Sequence, residues 1–383
     1  MEKTEKEINQ KFKILYIEEH GDLKGGGQIS LLKLIQHINK NKFEPILIAP
    51  YEGSLTAELK TFGIKTIITP MDSPKKKPFL FISNIKKLRK LIEDLKPDII
   101  HCNTSRSVLY GGVASKPLKI PVIWHVRVIE SEFLYDRFLV SLCSNVICVS
   151  KAVSKRFPYL LKNYSEKVIV IHNGVDLKEF NPEIRGENIR KEFNIPINIP
   201  VAGVVGNLIP WKGQKYFIYA SEEVIKVFPK AKFLIVGDGE TRNYLENLTK
   251  KLNLGKNVIF TGKRTDIPQI MAAIDVIVHS SISPEPFARV IIESMAMAKP
   301  VIAMNEGGVP EIIVSGKNGI LIPPKNTSLM AQEIISLFQD KEKAKKIGLS
   351  ARKCVEENFS IEENVKKTEQ LYLKILKNNE NRN

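Results

Sequence analysis

The chain has 383 residues, with 58 Lys and Arg against 42 Asp and Glu, and it is 43% hydrophobic, with 22 Gly, 21 Pro and four Cys. This composition is typical of a folded protein and excludes a disordered chain, a collagen-like repeat and a disulfide-stapled scaffold. The length predicts two domains of about 150–200 residues, each large enough to bury a core. Because the cysteines are scattered without metal-ligand spacing, we expect reduced thiols and neither a disulfide nor a structural metal.

The sequence contains neither a secretory signal nor a membrane span. Residues from Met1 to Lys13 alternate lysine and glutamate without an apolar segment, and no stretch approaches the about 18–20 apolar residues that a span requires. We therefore expect a cytoplasmic protein. The formal charge of +16 fits an anionic partner, which on charge alone is a nucleic acid, an anionic small molecule or an anionic lipid surface.

Short apolar runs rich in β-branched residues alternate with amphipathic stretches along the chain. Runs that are apolar throughout predict strands buried on both faces, and the segments between them predict the helices that cover a parallel sheet. The first series of predicted strands is Phe12–Ile17, Pro45–Ala49, Lys65–Thr69, Pro97–Cys102, Pro121–Val126, Asn145–Ser150 and Lys167–His172. The second series is Val201–Gly206, Lys232–Gly237, Asn257–Thr261, Asp275–His279, Pro300–Met304 and Gly319–Pro323. The predicted fold class is α/β, with two doubly wound parallel sheets in tandem.

The two series also predict the domain boundaries. We expect an N-terminal domain over residues 1–180, a C-terminal domain over 181–360, and a C-terminal helix within 361–383 that packs back on the N-terminal domain. Residues 181–200, which are rich in proline and mixed charge, are interpreted as the connection between the domains. Ligands of open α/β sheets bind beyond the carboxyl ends of the strands, so we expect the site in the cleft between the two domains.

A glycine-rich loop follows the first predicted strand. Gly25, Gly26 and Gly27 precede an apolar-periodic helix that begins near Ile29, and such glycines let the backbone approach a ligand while the helix N-terminus offers N–H groups to an anion. The spacing is not that of the dinucleotide fingerprint. A tight strand-to-helix turn without a ligand is the alternative interpretation.

The segment from Ser281 to Glu293 is the most informative in the chain. Pro284 and Pro286 fit the entry of a helix that begins near Pro286. The first-turn amides that this helix would offer to a pyrophosphate belong to Phe287, Ala288, Arg289 and Val290. The carboxylates of Glu285 and Glu293 would lie near one side of this entry and could accept hydroxyls of a sugar and a ribose. Solvated helix glutamates are the alternative.

This segment resembles the E-x7-E pattern, with EPFG-like residues, of the family 4 retaining glycosyltransferases of the GT-B fold. Further motifs agree in the same order along the chain: Gly25-Gly26-Gly27-Gln28, Asn173-Gly174-Val175-Asp176, Trp211-Lys212-Gly213-Gln214, Val236-Gly237-Asp238-Gly239-Glu240 and Gly307-Gly308-Val309-Pro310-Glu311. Each motif alone is weak, but together they span almost the whole chain. The resemblance implies a GT-B architecture of two Rossmann-like domains that face a central cleft.

The resemblance also implies roles for individual residues. Lys212 is similar to the family's basic residue that holds the donor pyrophosphate, and Glu293 to the residue that binds the ribose hydroxyls. Glu285 would contact the transferred sugar, and His125 resembles the active-site histidine near that sugar. The glycine loop and the first-turn amides named above would complete the donor site.

Three positions depart from the family's pattern. Asn207 stands where many members have an arginine, so one expected charge is missing from the phosphate site, although Asn207 can still donate hydrogen bonds. Ala288 replaces a common glycine. His125 is followed by Val126 and Arg127 rather than by an acidic residue, which leaves its partner open.

The function implied by the resemblance is transfer of a hexose, with retention of anomeric configuration, from a nucleoside-diphosphate sugar to a glycan or lipid-linked acceptor in cell-surface polysaccharide or glycolipid synthesis. No D-x-D motif occurs, so we expect neither a metal nor another cofactor. The alternatives are a nucleotide-sugar epimerase or another non-transferring GT-B protein, and a two-domain binding protein. A nucleic-acid partner is not expected because no recognised module accompanies the charge.

One stretch of the N-terminal domain concentrates basic residues. Its basic side chains are Lys75, Lys76, Lys77, Lys86, Lys87, Arg89, Lys90 and Lys96. Together with the aromatic residues Phe79 and Phe81 they suit an anionic membrane surface, which would bring the enzyme to the inner face of the cell membrane. The alternative is a solvated face with the segment Phe79–Phe81 packed into the core.

Overall fold

The computed structural model describes residues 11–73, 78–163 and 165–380. Residues 1–10, which form most of the lysine- and glutamate-rich segment from Met1 to Lys13, lie outside the described residues. Lys75, Lys76 and Lys77 of the basic stretch also lie outside them. The chain forms two compact units, one made of residues up to 174 together with those from 361 onward, the other of residues 175–360. None of the helices in the described ranges is long and apolar enough to cross a membrane.

The first unit is built on a seven-stranded parallel sheet with the order β3-β2-β1-β4-β5-β6-β7. Its strands are β1 (Phe12–Ile17), β2 (Phe43–Ala49), β3 (Lys65–Ile68), β4 (Ile99–Cys102), β5 (Val122–Val126), β6 (Asn145–Cys148) and β7 (Val168–Val170). Its helices before residue 174 are α1 (Gly26–His37), α2 (Ser54–Thr61), α3 (Pro78–Leu95), α4 (Ser105–Ser115), α5 (Phe133–Ser141), α6 (Lys151–Ser154) and α7 (Pro158–Asn163).

The second unit is built on a six-stranded parallel sheet with the order β10-β9-β8-β11-β12-β13. Its strands are β8 (Val201–Val205), β9 (Lys232–Val236), β10 (Val258–Gly262), β11 (Val276–His279), β12 (Val301–Met304) and β13 (Ile320–Ile322). Its helices are α8 (Glu187–Glu192), α9 (Gln214–Val227), α10 (Arg242–Lys251), α11 (Ile267–Ala273), α12 (Arg289–Ala296), α13 (Thr327–Gln339) and α14 (Lys341–Asn358). The last helix of the chain is α15 (Ile361–Glu380), which belongs to the first unit.

The predicted fold class is confirmed. Each strand predicted from an apolar run occurs, with ends within two residues of the prediction. The central strands are buried along their whole length, as continuous apolar runs in a parallel sheet require.

The apolar face of α15 completes the core of the first unit. Leu371 and Ile375 of this helix join the cluster that contains Leu31 and Ile35 of α1, and Tyr372 packs edge-on against Phe43 with ring centroids 5.8 Å apart. Each such buried apolar side chain contributes about 1.5–3 kcal/mol. The chain end is thereby fixed to the sheet that carries His125.

The point where the strand order reverses locates the functional edge of each sheet. In the first unit the reversal lies between β1 and β4, and in the second between β8 and β11. Loops that leave neighbouring strands in opposite directions open a crevice at such a point. The residues that follow β1, β4, β8 and β11 therefore lie at the edges where a ligand site is expected.

Residues 181–200, interpreted above as the connection between the domains, are attached to the second unit. The side chain of Arg190 in α8 donates to the carbonyl of Ala273 at 3.0 Å and to the carboxylate of Asp275 at 2.9 Å, which ties the segment to the second sheet. The change of unit comes at Gly174, six residues before the predicted boundary at 180. Ion pairs and backbone contacts outweigh the loop-like composition of this segment.

Candidate active-site residues

Lys212 and Glu285 lie on the two loops that flank the switch point of the second sheet, and those loops are bound to each other. The hydroxyl of Ser280 donates to the carbonyl of Lys212 at 2.8 Å, and the amide of Ile282 donates to the carbonyl of Trp211 at 2.9 Å. Gly213 has φ +67°, and a Cβ there would lie 2.1 Å from the carbonyl oxygen of Ser280. A glycine is thus needed for the loops to approach this closely.

Glu285 is a buried carboxylate with three side-chain partners. Its Oε1 forms an ion pair with Nζ of Lys212, accepts from the hydroxyl of Ser281 at 2.5 Å, and lies 3.2 Å from Nε2 of His279. Burial raises the pKa of Glu285, but the hydrogen bond and interaction with His279 and the charge of Lys212 outweigh it, so the pKa lies well below its ordinary value. Glu285 is therefore ionised in the folded protein.

The backbone of Glu285 is held by the glycine pair that follows β12. The amide of Gly308 donates to the carbonyl of Glu285 at 2.8 Å. Gly307 has φ +60°, and a Cβ there would lie 2.3 Å from the same carbonyl oxygen. The motif at 307–308 therefore fixes the position of the carboxylate that Lys212 contacts.

The helix after this loop begins later than predicted. α12 starts at Arg289, with Ala288 as its N-cap, and not near Pro286. The bond from Gly308 to the carbonyl of Glu285 keeps the preceding residues out of the helix. As a result Phe287 is a core residue, packed against Phe359 with ring centroids 5.9 Å apart, and the first turn is formed by Arg289, Val290 and Ile291.

Arg289 and Glu293 form an ion pair along the first turns of α12. The Nη2 of Arg289 donates to Oε1 of Glu293 at 2.8 Å, and both side chains are largely buried. Asn207, in contrast, is exposed, and its backbone carbonyl accepts from the side chain of Gln214 at 3.0 Å. The structure thus brings Lys212 to Glu285 and Arg289 to Glu293, and leaves Asn207 exposed.

A cavity of about 400 Å³ lies at the switch point of the first sheet. Its polar lining includes Lys24, Gly25, Gly27, Arg106, His125 and Arg127, while Gly26 is the first residue of α1. A Cβ at Gly27 would lie 3.2 Å from Cδ of Arg127. Two of the three predicted glycines and His125 therefore border one cavity.

His125 has partners that the sequence did not reveal. Its Nδ1 lies 3.1 Å from Nε2 of His101 and 3.3 Å from Nη2 of Arg127. Its Nε2 is buried and has no hydrogen-bond partner within the described part of the chain. Burial, and then the charge of Arg127, lower the pKa of His125 well below its ordinary value, so the ring is neutral.

Arg127 is itself held by two asparagines. Its Nε donates to Asn103 at 2.5 Å and its Nη1 to Asn173 at 2.8 Å, and Asn103 in turn donates to Glu18 at 2.5 Å. Burial raises the pKa of Glu18. Glu18, Asn103 and Arg127 each follow directly the end of a strand, so inspection of every strand end would have found them.

The described residues contain no group of three or more His, Cys, Asp or Glu that could hold a metal ion. The four cysteines are free thiols. Ammonium, guanidinium, imidazole and carboxylate groups lie near the carboxyl edges of the two sheets.

Two family models match the chain. The model described as Glycosyltransferase Family 4 matches residues 24–179, and the model described as Glycosyl transferases group 1 matches residues 186–354. The galactosyltransferase of Escherichia coli that uses UDP-Gal and alpha-D-GlcNAc-diphosphoundecaprenol is 26% identical, over 97% of this chain and 100% of that protein.

Solved structures show the same architecture from end to end. The HepE protein of Anabaena, in complex with UDP and glucose, is 28% identical with a TM-score of 0.81, over 94% of this chain and 99% of that chain. A glycosyltransferase of Rickettsia africae is 27% identical with a TM-score of 0.83, over 96% and 99%. Since the two models together span most of the chain and the similarity to whole glycosyltransferases runs along nearly all of it, the chain belongs to the family 4 glycosyltransferases of the GT-B fold.

Proposed function

We propose that this glycosyltransferase moves a hexose from UDP-hexose to a lipid-linked glycan acceptor, with retention of anomeric configuration and without a metal ion. As a member of its family it takes the sugar from a nucleoside-diphosphate donor. The observation that carries the proposal is the buried ion pair of Lys212 with Glu285 at the switch point of the second sheet. The choice of uridine is supported by the UDP complexes of the Anabaena protein and by the UDP-Gal of the E. coli enzyme.

The second unit supplies the groups that a departing nucleoside diphosphate needs. The side chain of Lys212 is one-fifth exposed, so a phosphate oxygen can reach it while it keeps its contact with Glu285. A fixed cation beside the leaving group stabilises the charge that develops there. Glu293, held by Arg289, accepts hydrogen bonds from the ribose hydroxyls, and Glu285 accepts a hydrogen bond from a hydroxyl of the transferred sugar.

The first unit supplies a cavity bordered by a neutral imidazole. Nε2 of His125, which has no partner among the described residues, offers a hydrogen bond to an oxygen of a sugar. In a retaining reaction of this kind the acceptor hydroxyl attacks the anomeric carbon from the face of the leaving group, and its proton passes to the departing phosphate oxygen. No protein base is then required, which agrees with a histidine whose lowered pKa makes it a weak base.

Lys212→Met tests the donor site. We expect turnover of the correct UDP-hexose to fall about 10²–10³-fold while the fold is kept, because a fixed group that stabilises developing charge is lost. Lys215→Met is the matched control, since Lys215 lies three residues on and packs over the ring of Tyr216. Equal turnover in the Lys212 variant and the control would overturn the proposal.

Screening UDP-, GDP- and ADP-sugars for thermal stabilisation identifies the donor. A ligand at 100 times its dissociation constant raises stability by about 2.7 kcal/mol. We expect stabilisation by a UDP-sugar and undiminished transfer in EDTA. Loss of transfer in EDTA with recovery on adding Mg²⁺ would contradict the metal-free part, and a product sugar still bound to UDP would indicate epimerisation.

We further propose that the first unit contacts an anionic membrane through the start of α3. Phe79 is 86% exposed and Ile82 is 55% exposed, and the exposed Lys86 and Lys90 continue the same face. Phe81, in contrast, is half-buried against Tyr110, so the core packing weighed above holds for Phe81 and fails for Phe79. Each basic residue near an anionic surface contributes about 1 kcal/mol.

Flotation with vesicles tests this contact. We expect the protein to float with phosphatidylglycerol vesicles at low salt and to stay behind with phosphatidylcholine vesicles. Phe79→Ser combined with Ile82→Ser should weaken the binding. Recovery of the wild-type protein in the unbound fraction with phosphatidylglycerol vesicles at low salt would refute the membrane contact.

A further inference from the structure

A buried chain of hydrogen bonds runs through the first unit from the C-terminal helix to His125. The hydroxyl of Tyr372 in α15 lies 2.6 Å from Nδ1 of His101, and Nε2 of His101 lies 3.1 Å from Nδ1 of His125. The hydroxyl of Tyr16 lies 3.2 Å from that of Tyr372. All four side chains are at most 1% exposed, so water does not compete for these bonds.

The strand register brings these side chains to one face of the sheet. His101 of β4 pairs with Tyr16 of β1 on one side and with Ile123 of β5 on the other. His125 lies two residues beyond Ile123 and therefore projects from the same face as His101. That face is the one covered by α1 and α15, which is why Tyr372 can reach His101.

The donors and acceptors of the chain fit only one arrangement of hydrogens for neutral rings. Arg127 can only donate, so Nδ1 of His125 is an acceptor and the hydrogen of this ring is on Nε2. Nε2 of His101 then carries a hydrogen and donates to His125. Nδ1 of His101 accepts the single hydroxyl hydrogen of Tyr372, so in the bond between the two tyrosine hydroxyls Tyr16 is the donor. The opposite tautomer of His125 would aim an N–H at the guanidinium of Arg127.

We infer that His101 and Tyr372 are positioning residues that, together with Arg127, hold His125 with its hydrogen on Nε2 and present this N–H to the cavity as a neutral donor. Nδ1 of His125 is fully engaged, so Nε2 is the atom left for a ligand. Burial lowers the pKa of His101 to about 3, which keeps the donating ring neutral as well. The inference deepens the proposed function, because it makes His125 a donor to a sugar oxygen and not a base.

The role of α15 follows from the same contacts. A C-terminal helix could fix the chain end with apolar residues alone, yet α15 places a hydroxyl on His101, at a separation of 271 residues in sequence. Removal of this hydroxyl would leave Nδ1 of His101 as a buried acceptor without a donor and would loosen the ring that donates to His125. Helix α15 thus affects the position of His125 through the ring of His101.

Nitrogen NMR of the protein labelled with ¹⁵N-histidine reads the tautomer directly. The chain has six histidines, and His125→Gln identifies the signals of His125 by their loss. We expect a hydrogen on Nε2 and a bare Nδ1 for both His125 and His101, unchanged between pH 5 and pH 8. A hydrogen on Nδ1 of His125, or a protonation of either ring within this range, would overturn the inference.

Variants test the positioning by His101 and Tyr372. Tyr372→Phe and His101→Leu should shift the Nδ1 signal of His125 towards that of a nitrogen with a weaker hydrogen bond, whereas His101→Gln, whose amide can still donate, should return it towards the wild-type position. Tyr110→Phe is the matched control, because Tyr110 is equally buried but donates to the carbonyl of Asp72. If His101→Leu does not fold, the His125 signal in Tyr372→Phe and His101→Gln still tests the positioning role.

An unchanged His125 signal in Tyr372→Phe and His101→Leu would refute the positioning role. The signal is read without substrate, so the outcome does not depend on the proposed function. If His125 has the expected tautomer but the protein transfers no sugar, only the proposed function is refuted. If the protein transfers sugar but His125 has the opposite tautomer, only this inference is refuted.

Discussion

His101→Gln should make the first unit less sensitive to acid. Burial, and then the charge of Arg127, lower the pKa of His101 from 6.5 to about 3, so between these values the folded protein binds fewer protons at this site than the unfolded chain does. The free energy of unfolding therefore falls as the pH falls through 6.5 towards 3. A glutamine does not titrate, so the variant lacks this part of the loss.

The magnitude follows from the two pKa values. On going from pH 7.5 to pH 5.0, the proton that only the unfolded state takes up at His101 lowers the free energy of unfolding by about 2 kcal/mol. Every other titrating group is present in both proteins. His125 contacts His101, but burial, the main cause of its lowered pKa, is common to both proteins, so its contribution cancels to first order. The wild type should thus lose about 2 kcal/mol more than His101→Gln over this interval.

Urea unfolding followed by tryptophan fluorescence measures this difference for the first unit. The chain has two tryptophans, and Trp211→Phe leaves Trp124, which is 1% exposed in β5, as the reporter. His37→Gln, at an exposed position, is the control and should behave as the wild type. An equal loss of stability in the wild type and in His101→Gln would show that His101 is not held neutral, and would refute the reasoning.

Two further substitutions test the second unit. Gly307→Ala should lower the free energy of unfolding by more than about 3 kcal/mol and also lower activity, because its Cβ would lie 2.3 Å from the carbonyl oxygen of Glu285. Gly316→Ala, with φ +79° and open space around it, is the control and should cost only about 1 kcal/mol. Equal losses of stability in thermal unfolding would contradict the role of the close approach at Gly307. Glu285→Gln should lower stability at pH 7 by about 3 kcal/mol, because it breaks the ion pair of a buried carboxylate. Glu246→Gln in α10, whose side chain is 35% exposed and pairs with Arg242, should change stability by less than about 1 kcal/mol. Similar urea midpoints for Glu285→Gln and the wild type would show that the pair with Lys212 is not a stabilising contact.

Much of the candidate site could be predicted because its motifs are local in sequence. The strands were recognisable from apolar runs. Lys212 and His125 were assigned through the family motifs, and Glu285 was assigned through the helix entry that follows it. The start of α12 could not be predicted, because a backbone bond from Gly308, more than twenty residues further on, decides where the helix begins.

The amino-acid sequence alone determined the two parallel sheets and the family motifs, since apolar, β-branched runs and glycine turns are local signals. Only the tertiary structure decided which side chains meet: His125 with His101 across two strands, His101 with Tyr372 from the last helix, and Lys212 with Glu285 across two loops. The physical reason is that strand register, close backbone approach at glycines and the docking of α15 set these distances, and none of them is a property of a sequence window.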